Sequence, residues 1–427
     1  MGAFSRRLDV DEIWHRHRRA LCDVRRRRPL VHHCGAFRLK AAGKAGGPRH
    51  QPVVCPRRRP ARSEIRMMDG LRKFWRFVTI YGPRRALFKA AGRLRGGRAW
   101  WLGARRGVAR DIGVIGCGQF AFASIGYAIA TRFGLRFGAA FDPDRRAVAS
   151  FASFFQAEAC DSADEVIGAA GVRVVYIASN HASHADYAIA ALAAGHDVYC
   201  EKPLAVTQES FAALMAARAR ARGRLFAGYN RPFSAAIAEL RAHCRDIHGP
   251  LTLACIVQGH VLGPDHWYRR PEEGTRICGN VGHWLDLMVH VRAWNGLPTR
   301  WRIDCAWSDD RVRDDDLTVT LTSAAGDLVT ITLTARAEPF EGIAETIVLQ
   351  WGEIAATIDD FRAMTLHVGK RRIRRRYWPK DVGHVAALLQ PFRHDARDFR
   401  EVELSTRLML AITDMVRSGT RSRLFDF

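Results

Sequence analysis

Residues 111–121 read Asp-Ile-Gly-Val-Ile-Gly-Cys-Gly-Gln-Phe-Ala, and the fold turns on how this stretch is read. Ile112–Ile115 is a short apolar run of the kind that forms a buried strand. Gly116 and Gly118 open a tight turn, and Phe120–Arg132 then reads as a helix. A strand, a Gly-x-Gly-x-x-Ala turn and a helix, in that order, point to a dinucleotide site. Gly116 permits the bend, Gly118 lets a pyrophosphate approach the backbone, and Ala121 keeps helix and strand close. The bare N–H groups and positive dipole end of the helix, from Gln119 and Phe120 onward, then face the phosphates. A second strand, Leu135–Phe141, ends on Asp142, 26 positions after Gly116. That is close to the roughly 20 expected for the acid that binds the adenosine ribose 2′-OH. Such a carboxylate repels the 2′-phosphate of NADP, so NAD is preferred, although Arg145 is close enough in sequence to bind that phosphate instead.

Outward from this point, strand and helix alternate to about Tyr229. Helix Arg145–Gln156 follows Asp142, and Ser162-Ala-Asp-Glu165 forms a capping box ahead of another helix. Val172–Ala178, His196–Cys200 and Leu225–Tyr229 read as strands, with helices His184–Ala194 and Thr207–Arg222 between them. Alternation with short connections implies a doubly wound parallel sheet. From about Pro250 the pattern changes. Leu251–Gln258, Thr299–Ala306, Leu317–Ser323, Leu328–Ala335 and Thr346–Ile358 read as strands, with one helix around Val281–Trp294 and others after Gly383. Runs of strands with segregated helices imply an α+β unit with an open, mostly antiparallel sheet.

Charge separates the N-terminus from the rest. The 427 residues carry a formal charge of +24. Residues 1–66 hold 18 Lys and Arg against 5 acids, and residues 67–110 hold 12 against 1. The remaining 37 basic and 37 acidic residues balance, so the globular part gives no reason to expect nucleic acid. Residues 1–66 read as a disordered basic leader, or as a start codon called too early. Residues 67–110 form a basic, amphipathic, aromatic extension. Through residues 69–101 it can lie on an anionic membrane surface, or it can pack on the fold. The ten cysteines form no Cys-x-x-Cys pair, which fits a reducing, cytoplasmic setting without structural disulfides or a metal site. No apolar run is long enough to cross a membrane. The expected domains are residues 111–232 for dinucleotide binding and 233–427 for substrate and oligomerisation.

Three clusters lie where a nicotinamide enzyme needs them. Ser179-Asn180 and Glu201-Lys202-Pro203 end the fourth and fifth strands, at the carboxyl edge where such sheets bind ligands. Gly279-Asn280-Val281-Gly282-His283-Trp284-Leu285-Asp286 opens a helix on which His283 and Asp286, three apart, share a face.

With these residues in view, the chain resembles the glucose–fructose oxidoreductase, inositol dehydrogenase and rhizopine-catabolism (Gfo/Idh/MocA) family. The resemblance rests on Gly116-Cys-Gly-Gln-Phe-Ala121, Ser179-Asn180-x-x-x-His184, Ala193-Ala-Gly-His-Asp-Val-Tyr-Cys-Glu-Lys-Pro203, Gly228-Tyr-Asn-Arg-Pro-Phe233 and Gly282-His-Trp-Leu-Asp286. These run in order through residues 111–427. The form Trp267…Pro271…Gly274-Thr-Arg-Ile-Cys-Gly279 is similar to members found with surface-polysaccharide genes.

The resemblance implies a Rossmann domain, a C-terminal substrate domain with an open sheet, and NAD(P)-dependent oxidation or reduction at a sugar, polyol or nucleotide-sugar carbon. It also implies homodimers or homotetramers built through the sheet face. Lys202 matches the family lysine that hydrogen-bonds the reacting oxygen. His283 matches the family histidine, the general base when hydride leaves and the acid in reverse. Gly116, Gly118, Gln119, Phe120, Asp142, Arg145, Ser179, Asn180, His184, Glu201 and Lys202 are expected along the cofactor. His184 is read as packing near its ribose or capping its own helix. Arg231, Asn280 and Asp286 are expected toward the substrate, with Asp286 also able to orient His283. Many members carry an aspartate four positions before this histidine; here Gly279 stands there. That departure favours one rival reading, a non-catalytic NAD(P)-binding regulator; a second rival keeps the cofactor but changes the net reaction, to that of an NAD-assisted glycoside hydrolase.

Overall fold

The structure is a computed structural model and describes residues 62–98, 109–244, 247–340, 342–395 and 397–427. The leader up to residue 61, and Trp100 and Trp101 of the extension, lie outside the described residues. The chain opens with two helices, α1 (Arg62–Tyr81) and α2 (Pro83–Leu94). An α/β region follows: β1 (Ile112–Ile115), α3 (Gly126–Phe133), β2 (Phe137–Phe141), α4 (Arg145–Phe155), β3 (Glu158–Ala159), α5 (Ala163–Gly168), β4 (Val174–Ile177), α6 (His184–Ala193), β5 (Asp197–Cys200), α7 (Gln208–Arg220) and β6 (Leu225–Ala227). Its six strands are parallel in the order β3-β2-β1-β4-β5-β6, the doubly wound arrangement expected. β1 lies within the sheet, buried at every position, so the glycine turn opens at the reversal in strand order, where such sheets bind ligands.

After α8 (Ala235–Cys244) come β7 (Leu251–Gln258), α9 (Gly282–Arg292), β8 (Arg300–Trp307), β9 (Leu317–Ser323), β10 (Leu328–Thr334), β11 (Ala344–Trp351), β12 (Ile354–Asp359), β13 (Ala363–Val368), β14 (Arg371–Arg376), α10 (His384–Leu388), α11 (Phe399–Ser418) and β15 (Ser422–Asp426). Nine strands form one open sheet, β14-β13-β12-β11-β7-β10-β9-β8-β15. All its pairings are antiparallel except β7 with β10. Residues 346–358, expected as one strand, are parts of two. Gly352 at φ +54° and Glu353 make a two-residue turn, and Trp351 pairs with Ile354 across it. The alternation of buried and exposed residues in β7 puts Leu251, Leu253, Cys255 and Val257 under α9 and α11, on the inner face.

Two features were not legible as sequence patterns. The first is the placing of the α1–α2 hairpin. Phe88 is fully buried, edge-on to Tyr127 and Phe154 of the α/β region, with ring centroids 5.3 and 6.2 Å away. Phe77 is buried beside Phe340, and the carbonyls of Thr79 and Ile80 accept from the Trp378 indole and the Lys380 N–H, each at 2.8 Å. The hairpin thus joins both halves of the molecule, while Leu71, Trp75, Leu87 and Leu94 stay exposed. The second is a return of the chain. Residues 388–392 pack back on the parallel sheet: Tyr176 donates to the Leu388 carbonyl at 2.6 Å and Gln390 to the Ala227 carbonyl at 3.1 Å. Among the described residues no helix is long and apolar enough to cross a membrane. The seven described cysteines are free and buried.

Candidate active site

The turn after β1 has the shape its sequence requires. Gly116 has φ +92°, and a Cβ there would lie 2.5 Å from the backbone of Ala178 and Ser179, so only glycine fits. At Gly118 a Cβ would meet nothing within 4 Å. The turn therefore has an open face onto which a diphosphate can settle. Asp142 stands at its lip, where Oδ2 accepts the Cys117 N–H at 2.7 Å and Oδ1 the Asp144 N–H at 2.8 Å. The helix beyond begins with a wide π-turn, Ala121–Ile125, before continuing as α3. These residues fit a dinucleotide. Arg145 is exposed at the start of α4 and ion-paired to Asp161, so it is already engaged.

The edge formed by β4 and β5 is tied together from beneath. His184 is buried, with Nδ1 2.7 Å from the Pro203 carbonyl and Nε2 3.1 Å from that of Ser179. Burial drives its pKa down to about 4, and the one N–H of the neutral ring can bond only one of these two carbonyls, while the other nitrogen packs against the second. That placing replaces the expected contact with the cofactor ribose, since both ring nitrogens face backbone. Ser179 Oγ lies 2.8 Å from Ser183 Oγ, and Asn180 donates to Glu273 Oε1 at 2.9 Å. Glu201 is buried and accepts from Tyr199 at 3.1 Å. Burial pushes its carboxyl up to about 7, against the opposing pull of Lys202 and Tyr199. Lys202 itself donates to the Gly279 carbonyl at 3.1 Å, which ties this edge to the turn leading into α9.

His283 follows a second π-turn, Ile277–Val281, in the first turn of α9. π-Turns inside helices often accompany functional sites. Its Nδ1 is buried with no hydrogen-bond partner among the described residues. Burial, then the charges of Arg231 and Lys202, hold its pKa well below the ordinary histidine value. His283 lines a cavity of about 440 Å³ that also touches Gln119 and Phe120 at the glycine turn. Arg231 borders the same cavity, buried over the Trp284 ring and held by Glu345 in a two-bonded pair at 2.7 and 3.0 Å.

Two residues expected toward the substrate are placed otherwise. Asp286 is fully buried and does not line the cavity; it accepts from Arg397 at 2.9 and 2.8 Å and from Ser405 at 3.0 Å. Residues three apart on a helix share a face only approximately, and here the α11 side captures the carboxylate. It does not orient His283. Asn280 is buried inside the π-turn and does not reach the cavity wall. The departure at Gly279 has a steric cause: a Cβ there would lie 2.4 Å from Cε2 of Tyr268. Gly279→Asp is therefore expected to destabilise the chain by about 1–3 kcal/mol through overpacking. Adding Tyr268→Ala should recover part of that loss, read as the midpoint of thermal unfolding. An unchanged midpoint for the single variant would show that the pocket has room for the acid.

Several site residues carried no sequence signal. Arg85 and Lys89 come from α2, Glu345 from β11, Lys380 from the loop after β14 and His384 from the start of α10, and all line the cavity. They belong to no motif and meet only through folding. Among the described residues no group of three or more His, Cys, Asp or Glu side chains could hold a metal.

Comparison with known proteins bears on the fold and on the nucleotide-binding region. Residues 110–229 match the family described as "Oxidoreductase family, NAD-binding Rossmann fold" (Gfo/Idh/MocA). The inositol 2-dehydrogenase of Klebsiella pneumoniae is 32% identical over 136 residues, 31% of this chain and 39% of that enzyme. That of Ralstonia nicotianae is 34% identical over 185 residues, 42% of this chain and 51% of that enzyme. The chain thus aligns with about half the length of these relatives or less. Among solved structures, GenD2 from gentamicin A biosynthesis, in complex with NAD, superposes with TM-score 0.62 at 19% identity, covering 76% of this chain and 99% of its own. Aldose–aldose oxidoreductase from Caulobacter crescentus, complexed with glycerol, gives 0.61 at 20%, covering 75% and 100%. These structures show the two-sheet fold. The family match and the curated relatives show what the nucleotide-binding region, residues 110–229, is similar to: the NAD-binding part of Gfo/Idh/MocA oxidoreductases.

Proposed function

We propose that the chain is an NAD-dependent dehydrogenase that interconverts a secondary alcohol and a ketone on a sugar or polyol. The observation that carries this reading is His283: a neutral imidazole with an unpartnered buried Nδ1, on the wall of a cavity that reaches the glycine turn. NAD, when bound, supplies the carbon that accepts the hydride. The chain's own residues do the rest. Gly118 leaves room for the diphosphate, and Asp142 at the lip favours a free ribose 2′-OH over a phosphate. His283 removes the hydroxyl proton as the alcohol carbon gives up its hydride, leaving a carbonyl; in reverse it returns the proton. Lys202 does not line this cavity and donates to the Gly279 carbonyl; its charge acts on His283, and it is assigned the stabilising of the oxygen that becomes negative.

The relatives named as inositol 2-dehydrogenases support a cyclic polyol or sugar as substrate. The packing of Phe77 and Phe88 on the fold supports the N-terminal hairpin as a wall of the site, in preference to a membrane-surface anchor. Exposed Ile256 and Val348, on the outer face of paired β7 and β11, support self-association through that sheet face. Free buried cysteines fit a cytoplasmic setting.

The test is reduction of NAD⁺ followed by absorbance with a panel of inositols, aldoses and their acidic derivatives. Tight NAD binding without turnover of any of them would overturn the reading. The pH profile adds a second check. A base whose pKa is depressed stays neutral to lower pH, so kcat/KM for alcohol oxidation is expected to fall only below the ordinary histidine value of about 6.5. Lys202→Met removes one of the cations that hold the imidazole neutral, so it should slow turnover and also move this acid limb to higher pH. A wild-type limb at or above that value would contradict the assignment of His283.

A further inference from the structure

The cavity beside His283 carries more positive charge than its carboxylates balance. Four basic side chains line it: Arg85, Lys89, Arg231 and Lys380. Two are neutralised where they stand. Glu345 holds Arg231, and Asp360 accepts from Lys380 at 2.6 Å. Arg85 and Lys89 have no carboxylate at ion-pairing distance among the described residues. Their contacts are with aromatic rings and a neutral imidazole. Arg85 donates to His384 Nδ1 at 3.4 Å and lies over the Tyr81 ring at 5.4 Å, and Lys89 Nζ lies 3.8 Å from the Phe77 centroid. Both side chains sit on one face of α2, four residues apart. Phe88, on the same helix, is locked into the core and holds that helix in place. Burial, then Arg93 and Arg85, bring the Lys89 ammonium down to about 8, as expected for a charge in want of a counter-ion.

We propose that this cavity selects a substrate bearing an anionic group, a carboxylate or a phosphate, and that Arg85 and Lys89 of the N-terminal hairpin provide its counter-charge. This rests on the reading of the site as a sugar or polyol dehydrogenase and narrows its substrate class. Asp381 acts on Arg85 only from beyond ion-pairing distance, so the two partly desolvated cations lack a paired carboxylate, and an anion placed between them supplies charge-assisted hydrogen bonds. Because the cavity also touches Gln119 and Phe120, the cofactor's own diphosphate is the other anion the pair could serve. Cofactor binding is therefore measured alongside.

The experiment uses the full chain with NADH bound and titrates glucuronate, glucose 6-phosphate and glucose calorimetrically. At least one acidic probe is expected to bind more tightly than glucose by about tenfold or more, the scale of one charge-assisted hydrogen bond. In Arg85→Gln/Lys89→Gln that preference should vanish while the NADH dissociation constant stays as in wild type. Lys89→Gln alone, at a partly exposed position, serves if the double variant does not fold. Equal binding of acidic and neutral probes by the wild type, or binding of none, overturns the proposal. So does a rise in the NADH constant as large as the loss for the acidic probe, which would assign the pair to the cofactor. Acid-selective binding with no NAD⁺ reduction would leave this inference standing and remove the dehydrogenase reading instead.

Discussion

His283→Ala is expected to lower turnover by roughly 10²–10⁴-fold, the usual contribution of a positioned acid–base group. The dissociation constant for NAD should be unchanged, because the imidazole borders the cavity and makes no part of the glycine turn. The fold should tolerate the change. His283 is half-buried with an unsatisfied Nδ1, so truncation removes a desolvated polar atom along with some packing. The acid limb of the pH profile should vanish in the variant, since the group that titrates there is gone. A loss of turnover matched by an equal loss of NAD affinity would mean that His283 shapes the cofactor site and moves no proton.

Asp286→Ala is expected to act on stability. The carboxylate holds Arg397 in the interior with two hydrogen bonds and accepts from Ser405. Removing one partner of a buried pair typically costs about 3–5 kcal/mol, since the other charge is left without compensation. Here Glu401 still pairs with Arg397, which places the expected loss near the lower figure, about 3 kcal/mol. Denaturant unfolding monitored by tryptophan fluorescence gives the number. Turnover per folded molecule and KM for the sugar should both be preserved, because α9 presents His283 and not Asp286 to the cavity. A raised KM with intact stability would restore Asp286 to the substrate and remove it from the α9–α11 contact.

Both predictions concern one helix, and they show where reading by spacing stops. Three residues of separation put His283 and Asp286 near a common face, and that much is right. What lies opposite that face is not written in α9. Arg397 is more than a hundred positions away, and its guanidinium settles the direction in which the carboxylate turns. The same holds at Gly279. The residue type was visible, but the reason for it is the ring of Tyr268, delivered by a separate segment. His184 likewise stood in a motif, while its two backbone carbonyl contacts, at Ser179 and Pro203, belong to loops that only the folded sheet brings together.

The sequence by itself determined the parallel α/β half, the glycine turn with Asp142 after it, the strand ends bearing Ser179, Glu201 and Lys202, and the change to an antiparallel sheet. Each of these depends on interactions within a few residues: alternation, turn chemistry and capping are local, so they can be read locally. The tertiary structure alone decided that an N-terminal hairpin would bury Phe88 in the α/β core and bring Arg85 and Lys89 to the cavity beside His283. Those side chains are about two hundred positions apart in the chain. Their meeting depends on how whole elements pack their apolar faces, and no pattern within either segment encodes it.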